Sequence, residues 1–278
     1  MTFAQPNIGF MFLVALFGAI MGSFFNMLIY RVPRGLSIIG PSSFCPACGK
    51  PIPWWANVPI ISYLLLRGKC VHCKQSIPVR YLVVEVITSV AYALLYWRNL
   101  EAGILQWSIE TLFVSLLIIV TFTDLETYLI PDVFSLGGLV AGLALSPWNR
   151  VVTVMDAFLG AFVGGGILFV IAYGYYKARG IEGMGGGDIK LLAMIGAFTG
   201  WKGALVALFI SAFTGAVVGL VVFVIGKSRS ACEDSASDDS QKQSALSTMI
   251  PYGPFLAFGG LFALLWGKMF WTWYLSGF

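Results

Sequence analysis

Runs of about 20 mostly apolar residues, long enough to cross a bilayer as a helix, recur along this chain and constrain its fold more than any other feature. We read eight spans, at roughly 8–29, 81–97, 104–123, 133–147, 152–174, 189–201, 203–225 and 251–275. The fourth and sixth are short for a full crossing. Of the 278 residues, 58% are hydrophobic and 11% charged, more apolar surface than a soluble core can hide. That excludes an ordinary soluble enzyme, a disordered chain and a disulfide scaffold. Strand alternation is absent, which excludes a β-barrel. The expected class is an all-α polytopic membrane protein with about eight transmembrane helices and a small cytoplasmic zinc-knuckle domain. The first span has no basic n-region and no small-residue cleavage site, so it reads as a retained helix. We see no fixed-period repeat.

Basic residues set the expected sidedness. With the loop 31–80 inside, the segments 31–80, 124–132, 174–190 and 226–250 carry seven, none, three and three Lys or Arg, 13 of the 17. The asymmetry puts both termini outside and the long loop in the cytoplasm. That loop contains no Asp or Glu, and part of its charge suits anionic lipid headgroups. The net charge of +4 therefore reflects topology, and nothing points to nucleic acid. The polar stretch 226–249, with Glu233, Asp234, Asp238 and Asp239, reads as a flexible loop without assigned chemistry.

Four of the five cysteines fall in the loop 31–80, as Cys45-Pro-Ala-Cys48 and Cys70-Val-His-Cys73. Two C-x-x-C knuckles at this separation predict a tetrahedral zinc site with Cys45, Cys48, Cys70 and Cys73 as ligands. The loop has little apolar content for a core, so the metal would largely fold it. Disulfides are disfavoured in the cytoplasm. His72 reads as a bystander, because four thiolates already close the site. Cys232 reads as an unpaired thiol.

Acids at membrane depth are costly and often functional. The candidates are Glu85, Glu110, Asp124, Asp132, Asp156 and Asp188. Span order puts Asp124, at the end of the third span, and Asp188, at the start of the sixth, on one membrane face, whichever way the protein is oriented. Asp188 follows Gly183, Gly185, Gly186 and Gly187. Glycines such as Gly185 and Gly187 let a substrate backbone approach closely, as an added strand. The plainer role for Asp188, capping its helix, is compatible with catalysis. Asp132 reads as a cap for the fourth span and Glu126 as a solvated loop charge. Arg80 is a candidate partner for Glu85, and Glu110 and Asp156 have structural defaults. Two nearby carboxylates sharing one proton make an aspartic-protease arrangement. The single histidine lies in a knuckle, so a Ser–His or Cys–His dyad and an H-E-x-x-H metal site are unavailable.

The segments GSFFNMLIYRVPRG (22–35), PSSFCPACGKPIPWWANVPIISYLLLRGKCVHCKQSIPVRY (41–81), TDLETYLIPD (123–132) and GMGGGDIK (183–190) together resemble the type IV prepilin peptidases, also called leader peptidase/N-methyltransferases. The resemblance runs over nearly the whole chain. It implies a membrane aspartic protease that cuts the leader of prepilins and pseudopilins after a glycine at the cytoplasmic face of the bacterial inner membrane. The family's catalytic aspartates correspond to Asp124 and Asp188. It further implies methylation of the new N terminus, commonly phenylalanine, with S-adenosylmethionine, an activity associated with the cysteine loop. The family commonly has a bulkier residue where this chain has Gly186. The expected organisation is residues 1–30 as a first helix, 31–80 as the cysteine-rich domain and 81–278 as the peptidase domain. The alternatives are a GxGD protease with other membrane substrates and an ion-coupled transporter. The second lacks visible inverted repeats and leaves the cysteine loop unexplained. Contacts to S-adenosylmethionine and the oligomeric state are not legible.

Overall fold

In the computed structural model, which describes residues 7–40, 43–45, 47–181, 184–230 and 251–276, six helices are long and apolar enough to cross a membrane. They are α1 (Ile8–Arg31), α3 (Arg80–Arg98), α4 (Ile104–Thr127), α6 (Val154–Arg179), α7 (Gly186–Ser230) and α8 (Gly253–Ser276). A shorter apolar helix, α5 (Asp132–Leu145), lies between α4 and α6, and a five-residue helix, α2 (Ile61–Leu65), sits in the cysteine loop. No strand forms among the described residues, as the sequence predicts. Gly183, Cys232 and residues 231–250 of the expected polar loop lie outside the described residues, while 226–230 continue α7.

A straight helix of the length of α7 would be about 68 Å long, more than twice the hydrocarbon core of a bilayer. It does not run straight. Gly200 has φ 74° and ψ 175°, a conformation open to glycine, and the chain reverses there. Tyr252, just before α8, hydrogen-bonds Ser211 of the second arm at 2.9 Å, and Gly260, two turns into α8, packs against Ile195 of the first arm. Trp271, near the other end of α8, makes a tilted ring contact with Trp201 and donates to the Lys202 carbonyl. The arms before and after Gly200 are therefore antiparallel against α8. Six long helices, one of them folded into two arms, plus α5 reproduce the eight expected segments.

Small residues let these helices approach closely, as packing in lipid favours. A Cβ on Gly160 of α6 or Gly196 of α7 would run into the other's backbone. A Cβ on Gly22 of α1 would lie 2.7 Å from the Glu85 Cα of α3. α4 is the central helix, with more of its span buried than any of the other five. Its Phe113 stacks on Phe198 of α7 at 4.8 Å. Thr153 caps α6, accepting from Asp156 N–H and donating to the Asp156 carboxylate. That gives Asp156 its structural role. Glu110 is likewise fully engaged, accepting from Asn99 at 2.7 Å and Gln106 at 3.0 Å.

Candidate active site

α4 runs one turn further than the apolar pattern suggests. Asp124 is thus inside the helix rather than at its end, and is 5% exposed. Tyr128, at φ 55°, closes the helix in the left-handed region. Asp188 lies in the first turn of α7 and is half-buried. The two carboxylates, 64 residues apart in sequence, are brought to one level of the bundle by α8: Gly253 bonds Asp124, and Gly260, two turns on, packs against Ile195, two turns after Asp188.

A third element completes the arrangement. The backbone N–H of Gly253, in the first turn of α8, donates to Asp124 Oδ2 at 2.9 Å. A Cβ on Gly253 would lie 2.6 Å from that oxygen, so only glycine admits this contact. Sequence reasoning missed Gly253 and its neighbour Tyr252. The Pro251-Tyr252-Gly253-Pro254 stretch carried a turn signal but nothing linking it to an aspartate. Gly185 is exposed beside Asp188, and Gly187 packs against Ile130, where a Cβ would stand 2.9 Å from the Ile130 Cβ.

Ion pairs hold the surrounding helix ends, and three expectations change. Glu126 is exposed but helical and paired, not a solvated loop charge; it pairs with Arg80 and, at 3.8 Å, with Arg34. Arg80 therefore does not partner Glu85, whose Oε2 accepts the backbone N–H of Ile60 at 2.7 Å. Asp132 does not cap α5, since Pro131 holds the cap position; it pairs with Lys190 of α7 at 2.6 Å.

The cysteines converge. The Sγ atoms of Cys45, Cys48, Cys70 and Cys73 all lie within 4.8 Å of one another, with Cys45 and Cys73 at 3.9 Å. A tetrahedral zinc with Zn–S bonds of about 2.3 Å sets its sulfurs about 3.8 Å apart, so the four thiols fit that metal. Backbone N–H groups of Cys73 and His72 pull the Cys70 thiol down to about 6, while burial and the neighbouring thiols push Cys73 up to about 11, so without a metal the cluster gathers its negative charge on Cys70. His72 stands off the cluster, with Nε2 3.3 Å from the Pro51 carbonyl.

The two knuckles also repeat each other, which the sequence reading did not detect. Each is closed by an isolated β-bridge, Phe44 with Pro51 and Lys69 with Ser76. Cys45 N–H bonds the Lys50 carbonyl as Cys70 N–H bonds that of Gln75, and Ile52 N–H bonds Ser43 as Ile77 N–H bonds Gly68. Gly49 and Lys74 share the positive φ that turns each knuckle.

Residues 16–99 match the family model for the bacterial peptidase A24 N-terminal domain, and residues 111–220 match that for the type IV leader peptidase family. A protein of Aeromonas hydrophila is 33% identical over 96% of this chain and 94% of its own length. One of Pseudomonas putida is 33% identical over 93% and 91%, and one of Pseudomonas aeruginosa 31% over 98% and 96%. All three are named prepilin leader peptidase/N-methyltransferase. No solved structure matches the chain. With one-third identity sustained across almost its entire length, the chain belongs to the type IV leader peptidase family, alongside the prepilin leader peptidase/N-methyltransferases.

Proposed function

We propose that this protein removes the leader of prepilins or pseudopilins after a glycine, using Asp124 and Asp188, and then methylates the new N terminus. The observation that carries the reading is the placement of Asp124 and Asp188 at one level of the bundle, Asp124 in the last turn of α4 and bound to Gly253, Asp188 in the first turn of α7. Like charges at close range do not both ionise easily, so the pair holds one proton. The ionised member takes a proton from water as the water attacks the scissile carbonyl. The protonated member donates to the carbonyl oxygen and later to the leaving amine. Gly253 N–H fixes one oxygen of Asp124, leaving the other for water. Gly185 keeps the approach to Asp188 clear of side chains for an extended substrate backbone, while Gly187, backed by Ile130, lets the turn pack closely.

The basic residues that concentrate at this end of the bundle support a position on the cytoplasmic side of the bacterial inner membrane. A prepilin's apolar helix dissolves in the bilayer, and its leader junction then meets the aspartates as a positioned group. Residues 31–80 form the methylation-associated domain and 81–278 the peptidase domain, after a first helix at 1–30. Cys45, Cys48, Cys70 and Cys73 would hold a structural zinc, which would fix the loop that they fold around. S-adenosylmethionine supplies the methyl group.

The test is mass spectrometry of a prepilin co-expressed with the wild-type protein, D124N or D188N. Wild type yields a product lacking the leader and heavier by one CH₂ group. Each variant reaches the membrane in normal amount and leaves the prepilin uncut. Normal processing by either variant overturns the assignment.

A further inference from the structure

Two buried carboxylates take no part in cleavage: Glu110, whose two oxygens accept from Asn99 and Gln106, and Glu85. Glu85, in the second turn of α3, is 7% exposed. None of the ion pairs among the described residues includes it. Its neighbours are neutral donors, the Ile60 N–H and the Ser23 hydroxyl. A buried carboxylate without a cation is expensive.

A second acceptor stands beside it. Asn26 of α1 is 2% exposed. Its Nδ2 donates to the Tyr81 carbonyl at 2.9 Å, which fixes the amide's orientation, and its Oδ1 is buried with no donor. Gly22 packs on Glu85, and Asn26 packs on Tyr81. The two acceptors therefore lie about one helical turn apart along the α1–α3 contact.

The cysteine loop covers this place with a strained residue. Ile60 has φ 63° and ψ −54°, and Ile61 N–H bonds the Pro59 carbonyl at 2.6 Å. This is the rare positive-φ γ-turn, costly for a β-branched side chain. Such strain persists where surrounding contacts enforce it, and it gathers at functional sites. The Ile60 N–H occupies the lone pair that a cationic donor would take.

N-methylation presents such a donor. The N terminus released by cleavage is an ammonium with three N–H groups, and it must lose a proton before it can attack. We propose that Glu85 and Asn26 form the site that receives this ammonium, with Glu85 as the base for methyl transfer; the proposal rests on the bifunctional reading. Asn26 Oδ1 accepts one N–H. Glu85 takes the proton of another, and the freed nitrogen lone pair attacks the methyl carbon of the sulfonium donor. The N–C bond forms as the C–S bond breaks, and its electron pair stays on sulfur as a neutral thioether. The product is a secondary ammonium, and Glu85 returns its proton to water.

Full-length protein carrying E85Q or N26A, reconstituted in lipid nanodiscs, tests this with a prepilin and S-adenosylmethionine. Leader release and methylation are followed separately by mass spectrometry, and bound metal is measured on the same sample. Gln keeps an acceptor for the Ile60 N–H but has neither charge nor basicity. E85Q therefore retains leader release and metal content, and its methylation rate falls at least about 100-fold, the low end for loss of a general base. E85Q also binds the cleaved, unmethylated peptide more weakly than wild type. N26A raises KM for that peptide about tenfold, the loss of one well-placed hydrogen bond to a charged group. Methylation by E85Q at a rate close to wild type overturns the proposal and leaves the bifunctional reading intact. Joint loss of leader release, metal and methylation in E85Q also overturns it, making Glu85 a structural clamp. Wild-type protein that cleaves and never methylates overturns the bifunctional reading itself.

Discussion

Gly253 decides where a charge sits by lacking a side chain. Its N–H holds Asp124 Oδ2 at 2.9 Å, in space that a methyl group would occupy. G253A should displace the carboxylate by a fraction of an ångström to an ångström. A misplacement of that order costs about 100-fold in rate. We expect leader release to fall by that factor while the amount of membrane-inserted protein is unchanged, measured by release kinetics against immunoblot of membranes. The two aspartates were legible in sequence because charge is so scarce, 11% of residues. Gly253 was not, being one glycine among 32, with its partner 129 residues away. The expected Glu85–Arg80 pair failed for a geometric reason. Residues five apart on a helix point about 140° away from each other, whereas facing neighbours are three or four apart.

At the level of elements, apolar periodicity located the helices well, including both arms of α7. It misplaced their ends where polar residues continue a helix. Asp124, Glu126 and Thr127 lower the hydropathy at the end of α4, yet the helix continues because Glu126 has partners waiting on the stems of the cysteine loop, Arg34 after α1 and Arg80 at the start of α3. That pairing ties the turn carrying Asp124 to α3. Reversing one member, as R80E, should destabilise the protein by about 1–2 kcal/mol, between the values for exposed and buried pairs. It should also slow cleavage. The double reversal R80E/E126R should recover most of both, measured by thermal unfolding in detergent and by leader release. The knuckle repeat went unread because its two copies are short and share little beyond their cysteines and a following Ile-Pro, Ile52-Pro53 and Ile77-Pro78.

For the whole molecule, the division of labour should be separable. The four thiols lie in a loop outside the spans, and both aspartates lie within the helix bundle. C45S or C70S should therefore remove bound metal and impair methylation far more than cleavage, as read by metal analysis and by the two product masses. Equal loss of both activities would show that the bundle depends on the loop. The convergence of Arg34 and Arg80 on Glu126 has a topological consequence. The excursion 32–79 leaves the helix bundle and returns to it at neighbouring points, joined through the Glu126 carboxylate, and touches α3 again where Ile60 meets Glu85. Removing or inserting it changes neither the order of the helices nor the sense in which they wind. One in-frame insertion or deletion at this point would therefore add or remove the module without rethreading the bundle.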